Sequence, residues 1–227
     1  MKRHLMFIVA MFILASVNGT HVIGGYISIV ETNGTTVTFR FTGFREIGSA
    51  TDFGGGHFDF GDGKRLEGDF ETTRTSTSGV EVVSFDVNHT YSSPGKYTAS
   101  FTEPLRTEHI RNVNHSLNAS FYVDITFNLD PFLTNNHPGC QIDHLLKASG
   151  LSNYEHAIYA SDPDGDLLTF SLVVPKVSAS ESVQEYDFAG MSIDPFTGNL
   201  LWQVPPGTGD HELYLFAIRV SEYRQFN

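Results

Sequence analysis

Residues 83–91 decide the fold class: they read Val83-Ser84-Phe85-Asp86-Val87-Asn88-His89-Thr90-Tyr91, with apolar or aromatic residues at every second position. Side chains on a β-strand point alternately to opposite faces of a sheet, so this period of two predicts a strand with one buried face. A shift of one residue would turn the buried set outward, so the pattern also fixes the register of the strand.

The same alternation recurs along most of the chain, and turn-forming pairs such as Asn33-Gly34 fall between the repeats. Short alternating strands separated by turns are typical of antiparallel sandwiches. We therefore predict an all-β fold of two Ig-like antiparallel β-sandwich domains in tandem after a signal peptide. The alternating sets are Val37/Phe39/Phe41, Tyr97/Ala99/Phe101, Phe121/Val123/Ile125/Phe127, Leu168/Phe170/Leu172 and Met191/Ile193, with further strands expected at 200–204 and 213–220.

The N-terminus has the layout of a secretory signal peptide. Three basic or histidine residues precede an apolar run from Leu5 to Ala15, and small or polar residues follow it, which predicts cleavage before Thr20. An uncleaved membrane anchor is the alternative, but the apolar run is shorter than the roughly 20 residues that a membrane span needs. We expect no membrane span after cleavage and a secreted or cell-surface protein.

Behind the signal peptide (1–19), we predict one sandwich at 20–128, a linker at 129–140 and a second sandwich at 141–227. The linker is placed where Pro131 and Pro138 interrupt the alternation, because proline cannot donate to a strand ladder. The stretch 144–154 is the one place where a short helical turn is expected. We expect the chain to be the N-terminal portion of a longer protein, in which the second sandwich can extend beyond residue 227.

The chain is acidic, with 26 Asp and Glu against 14 Lys and Arg and a formal net charge of -12. Nucleic acids and anionic membranes attract basic surfaces, so neither is expected as a partner. Cys140 is the only cysteine, which excludes an intramolecular disulfide. We interpret it as a small buried or linker residue rather than a nucleophile.

Two motifs in the first half are similar to those of the PKD (polycystic kidney disease) domain. They are His57-Phe58-Asp59-Phe60-Gly61-Asp62-Gly63 and, downstream, His89-Thr90-Tyr91 followed by Pro94-Gly95-Lys96-Tyr97-Thr98. PKD domains usually carry Trp at the place of Phe58. The residues themselves predict a tight turn, in which the glycines adopt positive φ and Asp59 and Asp62 accept backbone N–H groups.

The second half resembles the cadherin-like or putative Ig repeats of bacterial surface proteins. The resemblance is carried by Ala160 to Phe170, which includes Asp162-Pro163-Asp164-Gly165-Asp166, and by Gly190 to Asp194 and Thr197 to Trp202. The start of the mature chain, Thr20 to Gly25, also resembles large surface proteins of gliding Bacteroidetes. The resemblance implies an extracellular bacterial protein of several modules that serve in adhesion, matrix contact or spacing.

Asp162, Asp164 and Asp166 form the best candidate site, because three carboxylates at alternate positions around Gly165 can surround Ca²⁺. Asp194 and Glu222 are weaker candidate ligands, since strand ends distant in sequence can meet at one end of a sandwich. The alternative is an Asp-rich turn that caps its own backbone. Calcium is the only cofactor considered. We predict no catalytic or organic-cofactor site and no zinc or Ser-His-Asp motif.

We therefore expect a non-enzymatic extracellular or cell-surface interaction and adhesion protein. Its partner would be an extracellular protein, a matrix component or a glycan. The alternative is a set of accessory modules of a secreted hydrolase, a protease or glycan hydrolase whose catalytic domain lies outside this chain. The sequence leaves the ligand and the oligomeric state open.

Overall fold

The computed structural model describes residues 22–47, 55–68, 70–77, 80–104, 106, 110–114, 119–132, 135–141, 153–208 and 212–224. Within these ranges the regular structure consists of antiparallel β-strands, and the all-β prediction of antiparallel sandwiches is confirmed. No helix in the described part of the chain has the length and apolarity that crossing a membrane requires. The predicted signal peptide at 1–19 lies outside the described residues, and so does the predicted helical turn up to residue 152.

Two four-stranded sheets form the first sandwich, with the orders β1-β2-β6-β5 and β4-β3-β7-β8. Strand β6 pairs with β2 in an unbroken register from Thr36 opposite Thr90 to Glu46 opposite Val80. The strands are β1 (Val22–Asn33), β2 (Thr36–Glu46), β3 (His57–Asp59), β4 (Arg65–Glu67), β5 (Thr73–Thr77), β6 (Val80–Thr90), β7 (Gly95–Glu103) and β8 (Phe121–Leu129).

The apolar residues at alternate strand positions form the core of this sandwich. Phe39 and Phe41 from one sheet are fully buried against Phe58 and Phe101 from the other. The ring centroids of Phe41 and Phe101 lie 4.3 Å apart, and those of Phe39 and Phe58 lie 5.4 Å apart. Aromatic pairs in such tilted arrangements add to the free energy gained by burying apolar area. Phe58 is therefore a fully packed core residue.

The second half contains three smaller antiparallel sheets, with the orders β10-β14-β13, β11-β9 and β12-β15. Leu200 and Trp202 of β14 are buried in its core together with Met191 and Val204. The strands are β9 (Gly139–Gln141), β10 (Asn153–Ala157), β11 (Tyr159–Ser161), β12 (Leu167–Val173), β13 (Met191–Ile193), β14 (Asn199–Gln203) and β15 (Ala217–Tyr223).

The segment 213–216 differs from the prediction, which placed it in a strand that begins at Leu213. Strand β15 begins at Ala217, and Leu213 instead makes an isolated parallel bridge to Ile110, which belongs to the connection between β7 and β8. Leu213 and Leu215 pack with Ile110 in a small third cluster, whereas Tyr214 and Phe216 pack on the core of the second half. The side chains of this segment do alternate between two faces, but the segment pairs with a loop rather than with a strand.

The region predicted as a linker is also shorter than expected. Leu129 is still paired in β8 opposite Gly95, and Cys140 is paired in β9 opposite Ala160. Of the described residues in the predicted linker, those at 130–132 and 135–138 lie outside the strands. The boundaries of the two domains stay a prediction, and the third cluster shows that side chains from both halves pack together.

Candidate metal centre

The Asp-rich loop joins β11 to β12 and is organised by Asp162. The Oδ1 atom of Asp162 accepts the N–H groups of Asp164 at 2.8 Å and of Asp166 at 3.1 Å. Gly165 adopts a φ of 81° and donates its N–H to the carbonyl oxygen of Asp162. The loop is therefore a turn that caps its own backbone, as the alternative reading of the sequence predicted. This turn places the three acidic side chains close together.

The three carboxylates lie close enough to share one cation. One oxygen atom from each of Asp162, Asp164 and Asp166 lies within 4.8 Å of the others. The Oδ2 atoms of Asp162 and Asp166 are buried and accept no hydrogen bond. Unpartnered buried carboxylate oxygens are unfavourable, and hard oxygen atoms are the ligands of divalent cations such as Ca²⁺. This acidic cluster can therefore hold a metal ion.

Residues from the connection between the two halves complete the surroundings of the cluster. Asn136 donates its backbone N–H and its side-chain amide to the carboxylate of Asp164, at 2.8 and 2.9 Å. These hydrogen bonds, the backbone one foremost, hold the pKa of Asp164 below its ordinary value. The cluster thus ties the segment that follows β8 to the loop that precedes β12.

Glu222, the first of the weaker candidate ligands, approaches the cluster from the last strand, but it is not in the acidic group of the described residues that shares a cation position. It lies opposite Leu168 in the β12–β15 pair, and its side chain is largely buried. Burial raises the pKa of Glu222, a hydrogen bond with Asn135 opposes that effect, and the charges of Asp162 and Asp166 raise the pKa further. Protonation at this position relieves the repulsion among neighbouring carboxylates, as a bound cation also would.

Arg224 places a positive charge beside the cluster. Its Nη2 atom lies 3.8 Å from Asp164 Oδ2 and its Nε atom lies 3.7 Å from Asp166 Oδ2, while Nη1 donates to the side-chain oxygen of Asn135. A guanidinium at these distances offsets part of the negative charge. A divalent cation would therefore compete with Arg224 for the same carboxylates.

Asp194, the other weaker candidate ligand, has a local role. Its Oδ1 atom accepts the N–H groups of Phe196 at 2.9 Å and of Thr197 at 2.7 Å in the turn between β13 and β14. The hydrogen bond from Thr197 is the first cause of a lowered pKa of Asp194. Asp194 is not in the acidic group that shares a cation position among the described residues.

Sequence reasoning missed Asn135, Asn136, His137 and Arg224. His137 Nδ1 lies 3.9 Å from Glu222 Oε2, and burial lowers the pKa of this histidine. The one signal in the sequence was the polar run at 134–137, which we had assigned to a linker. Nothing in the local sequence connects that run to the Asp-rich loop, because strands β9, β10 and β11 lie between them.

The turn of the PKD-like motif is a second polar centre, and its role is structural. Asp59 accepts the N–H of Gly61 at 2.7 Å and Asp62 accepts that of Lys64 at 3.1 Å, as predicted. Asp62 Oδ2 lies 2.9 Å from His89 Nε2. Burial raises the pKa of Asp62, but the hydrogen bonds from His89 and Lys64 outweigh it and leave the pKa below its ordinary value.

Cys140 is half-buried on β9, and burial raises the pKa of its thiol, which disfavours the reactive thiolate. His109 and His115 lie outside the described residues. Comparison with protein-family models and with curated proteins finds no match for this chain. The acidic cluster is therefore the feature from which a function is best inferred.

Proposed function

We propose that the protein is a secreted or cell-surface interaction and adhesion protein, made of non-catalytic PKD-like and cadherin-like sandwich modules, and that its acidic cluster binds Ca²⁺. The all-β architecture and the acidic surface support this proposal. Sandwich folds serve many functions, so the proposal depends on the cluster rather than on the fold. The expected partner is an extracellular protein, a matrix component or a glycan.

The observation that carries the proposal is the place of the cluster in the chain. Asp164 is bound by Asn136 from the connection between the halves, and Glu222 reaches the cluster from the end of β15. Carboxylate and amide oxygens are available there, and Ca²⁺ takes 6 to 8 oxygen ligands with flexible geometry. Bound Ca²⁺ would hold the connecting segment against the second half and make the pair of modules more rigid. Such rigidity suits a protein that holds a binding surface away from a cell.

Calcium titration of the full chain by isothermal calorimetry tests the metal site. We expect saturable binding with a dissociation constant on the order of 10⁻⁴ to 10⁻³ M, as in extracellular modules. Asp162→Asn and Asp166→Asn should each weaken binding by about tenfold or more, because each removes a charged ligand. Asp194→Asn is the matched control, since that carboxylate caps its own turn. Absence of saturable binding, or equal weakening by the control, would contradict the proposal.

The cellular location is tested separately by treating intact cells of the native host with a protease. A surface protein should be lost from these cells while cytoplasmic proteins remain. Protection of the chain until the cells are lysed, together with its absence from the medium, would contradict an extracellular role.

A further inference from the structure

A cavity of about 720 Å³ lies where the segment 110–114 meets the second half of the chain. Its walls come from four stretches, 111–114, 185–189, 205–208 and 212–214, and none of the residues of the acidic cluster lines it. Its volume is within the range of about 300–1,000 Å³ that is usual for small-molecule sites. The cavity is therefore a second candidate site, separate from the metal centre.

The wall formed by 111–114 is held firmly in place. Arg111 donates its backbone N–H to the carbonyl oxygen of Leu213 at 2.8 Å. The buried side chain of Asn112 accepts the N–H of Leu215 at 2.8 Å and donates to the carbonyl oxygens of Leu215 and Asp187, at 2.7 and 2.9 Å. These bonds use the amide's donors and acceptor together, so the cavity is largely formed before any ligand arrives.

Backbone strain is concentrated at the same cavity. Glu185 and Ala189 have φ values of 50° and 51°, and they are the only non-glycine residues with positive φ in the described chain. Both line the cavity. Ala189 is held by a hydrogen bond from its N–H to Asp187 Oδ1 and by one from the indole of Trp202 to its carbonyl oxygen, both at 3.0 Å. Such strained residues cluster at binding sites, where the surrounding structure maintains them.

The polar groups of the cavity occur as pairs of donors and acceptors. Arg111 donates to Glu212, and Asn114 donates to Glu185. A sugar hydroxyl both donates and accepts hydrogen bonds, so it can join such a pair without leaving either member unsatisfied. A simple cation is a poorer fit, because Arg111 stands in the wall and both glutamates already accept from a donor.

Apolar surface is present beside these pairs. Tyr214 and the Pro205-Pro206 pair line the cavity, and the ring of Tyr214 is braced by Trp202, with centroids 5.0 Å apart and planes at 63°. An aromatic ring with a polar tip suits a ligand that has both apolar C–H faces and hydroxyl groups. The Tyr214 hydroxyl lies 3.4 Å from that of Thr208.

We infer that this cavity binds a neutral oligosaccharide, with Arg111, Asn114, Glu185 and Glu212 at its hydroxyl groups and Tyr214 against a ring face. The inference rests on the proposed function and names the class of its ligand. Tyr214 is half-buried, as are Tyr26 and Tyr154, and it is the tyrosine that lines this cavity.

Affinity electrophoresis of the full chain in gels that contain xyloglucan, mixed-linkage β-glucan, glucomannan or soluble starch tests this inference. At least one polysaccharide should retard the protein. The double variant Arg111→Ala/Asn114→Ala should weaken that binding by about tenfold or more. Both side chains are exposed, so the fold should persist. Arg40→Ala is the matched control, because Arg40 forms an exposed ion pair with Asp86 on the first sandwich.

Tyr214→Phe provides a second variant, which keeps the packed ring and removes only its hydroxyl group, so it should keep most of the binding. Retardation that falls in the double variant and persists in Tyr214→Phe and in Arg40→Ala supports the inference. Retardation by none of the four polysaccharides, or equal retardation of the parent chain and the double variant, overturns it. Because the cavity shares no residue with the acidic cluster, the result is independent of the calcium titration, and either proposal can fail without the other.

Discussion

At the scale of single residues, Glu103 is the least expected group in the structure. It ends β7 with a side chain that is only 1 % exposed, and its Oε2 atom accepts no hydrogen bond. Burial raises the pKa of Glu103 to about 7, and a hydrogen bond from the N–H of Gly55 only partly opposes this rise. Between about pH 4.5 and pH 7 the folded protein therefore holds a proton here that the unfolded chain releases.

Replacing Glu103 by Gln should stabilise the protein in a pH-dependent way. Because the folded pKa is raised, the contribution of Glu103 to stability is complete below about pH 4.5 and is lost as the pH rises through about 7. We expect Glu103→Gln to be near neutral at pH 4.5 and to stabilise by roughly 3 kcal/mol at pH 8. Denaturant unfolding at both pH values measures this. An equal effect at both values, or a similar pH dependence for the exposed Glu31→Gln, would contradict it.

The two glycines of the turn at 61–63 offer a matched pair. Both have positive φ, 79° for Gly61 and 86° for Gly63, so alanine at either position is strained by about 1 kcal/mol. A Cβ at Gly61 would also lie 2.3 Å from the carbonyl oxygen of Thr98, whereas one at Gly63 meets no atom within 4 Å. Gly61→Ala should therefore cost more than about 3 kcal/mol, well beyond Gly63→Ala. Equal shifts in urea midpoint would show that the turn can relax.

Local chemistry made part of this turn predictable from sequence. Asp59 and Asp62 were expected to accept nearby backbone N–H groups, and they do. The contact of Asp62 with His89 was not expected, because the two residues are 27 positions apart. Asp62 lies in the turn between β3 and β4, whereas His89 lies on β6. Spacing along the chain shows which groups can cap a turn, but not which distant side chain packs over it.

At the scale of elements, the strands of the first sandwich were predictable because a period of two leaves one consistent buried face. Val37, Phe39 and Phe41 are all fully buried, as that period requires. The segment 213–216 has the same period, yet its backbone groups pair with Arg111 and the side chain of Asn112 rather than with a strand. Alternation identifies an extended segment with two different faces, whereas its partner depends on tertiary packing.

Asn112 is the residue on which this contact depends, and its removal tests the link between the two halves. Asn112→Ala would leave the buried N–H of Leu215 and the carbonyl oxygen of Asp187 without these bonds. We expect a loss of about 2–4 kcal/mol in unfolding free energy and faster proteolytic cleavage near residue 213. Asn88→Ala on the exposed face of β6 is the control. A loss no larger than that of the control would contradict a structural role for Asn112.

At the scale of the whole molecule, the acidic cluster joins parts of the chain that sequence reasoning kept apart. Asp162, Asp164 and Asp166 were predictable, because their spacing around Gly165 is local. Asn136 and Arg224 were not, because they reach the loop from the connection and from the end of the last strand. We therefore expect a cation bound at the acidic cluster to raise the unfolding free energy of the whole protein.

Thermal unfolding of the full chain in millimolar calcium and in excess chelator tests that claim most directly. A ligand that binds only the folded state stabilises it by mass action, so calcium at about 10 mM, roughly 10 to 100 times the expected dissociation constant, should add about 1.4–2.7 kcal/mol and raise the midpoint by several degrees. The increase should fall by about half or more in Asp166→Asn and persist in Asp194→Asn. An unchanged midpoint in the parent chain would contradict the claim and leave Arg224 as the only cation that serves the cluster.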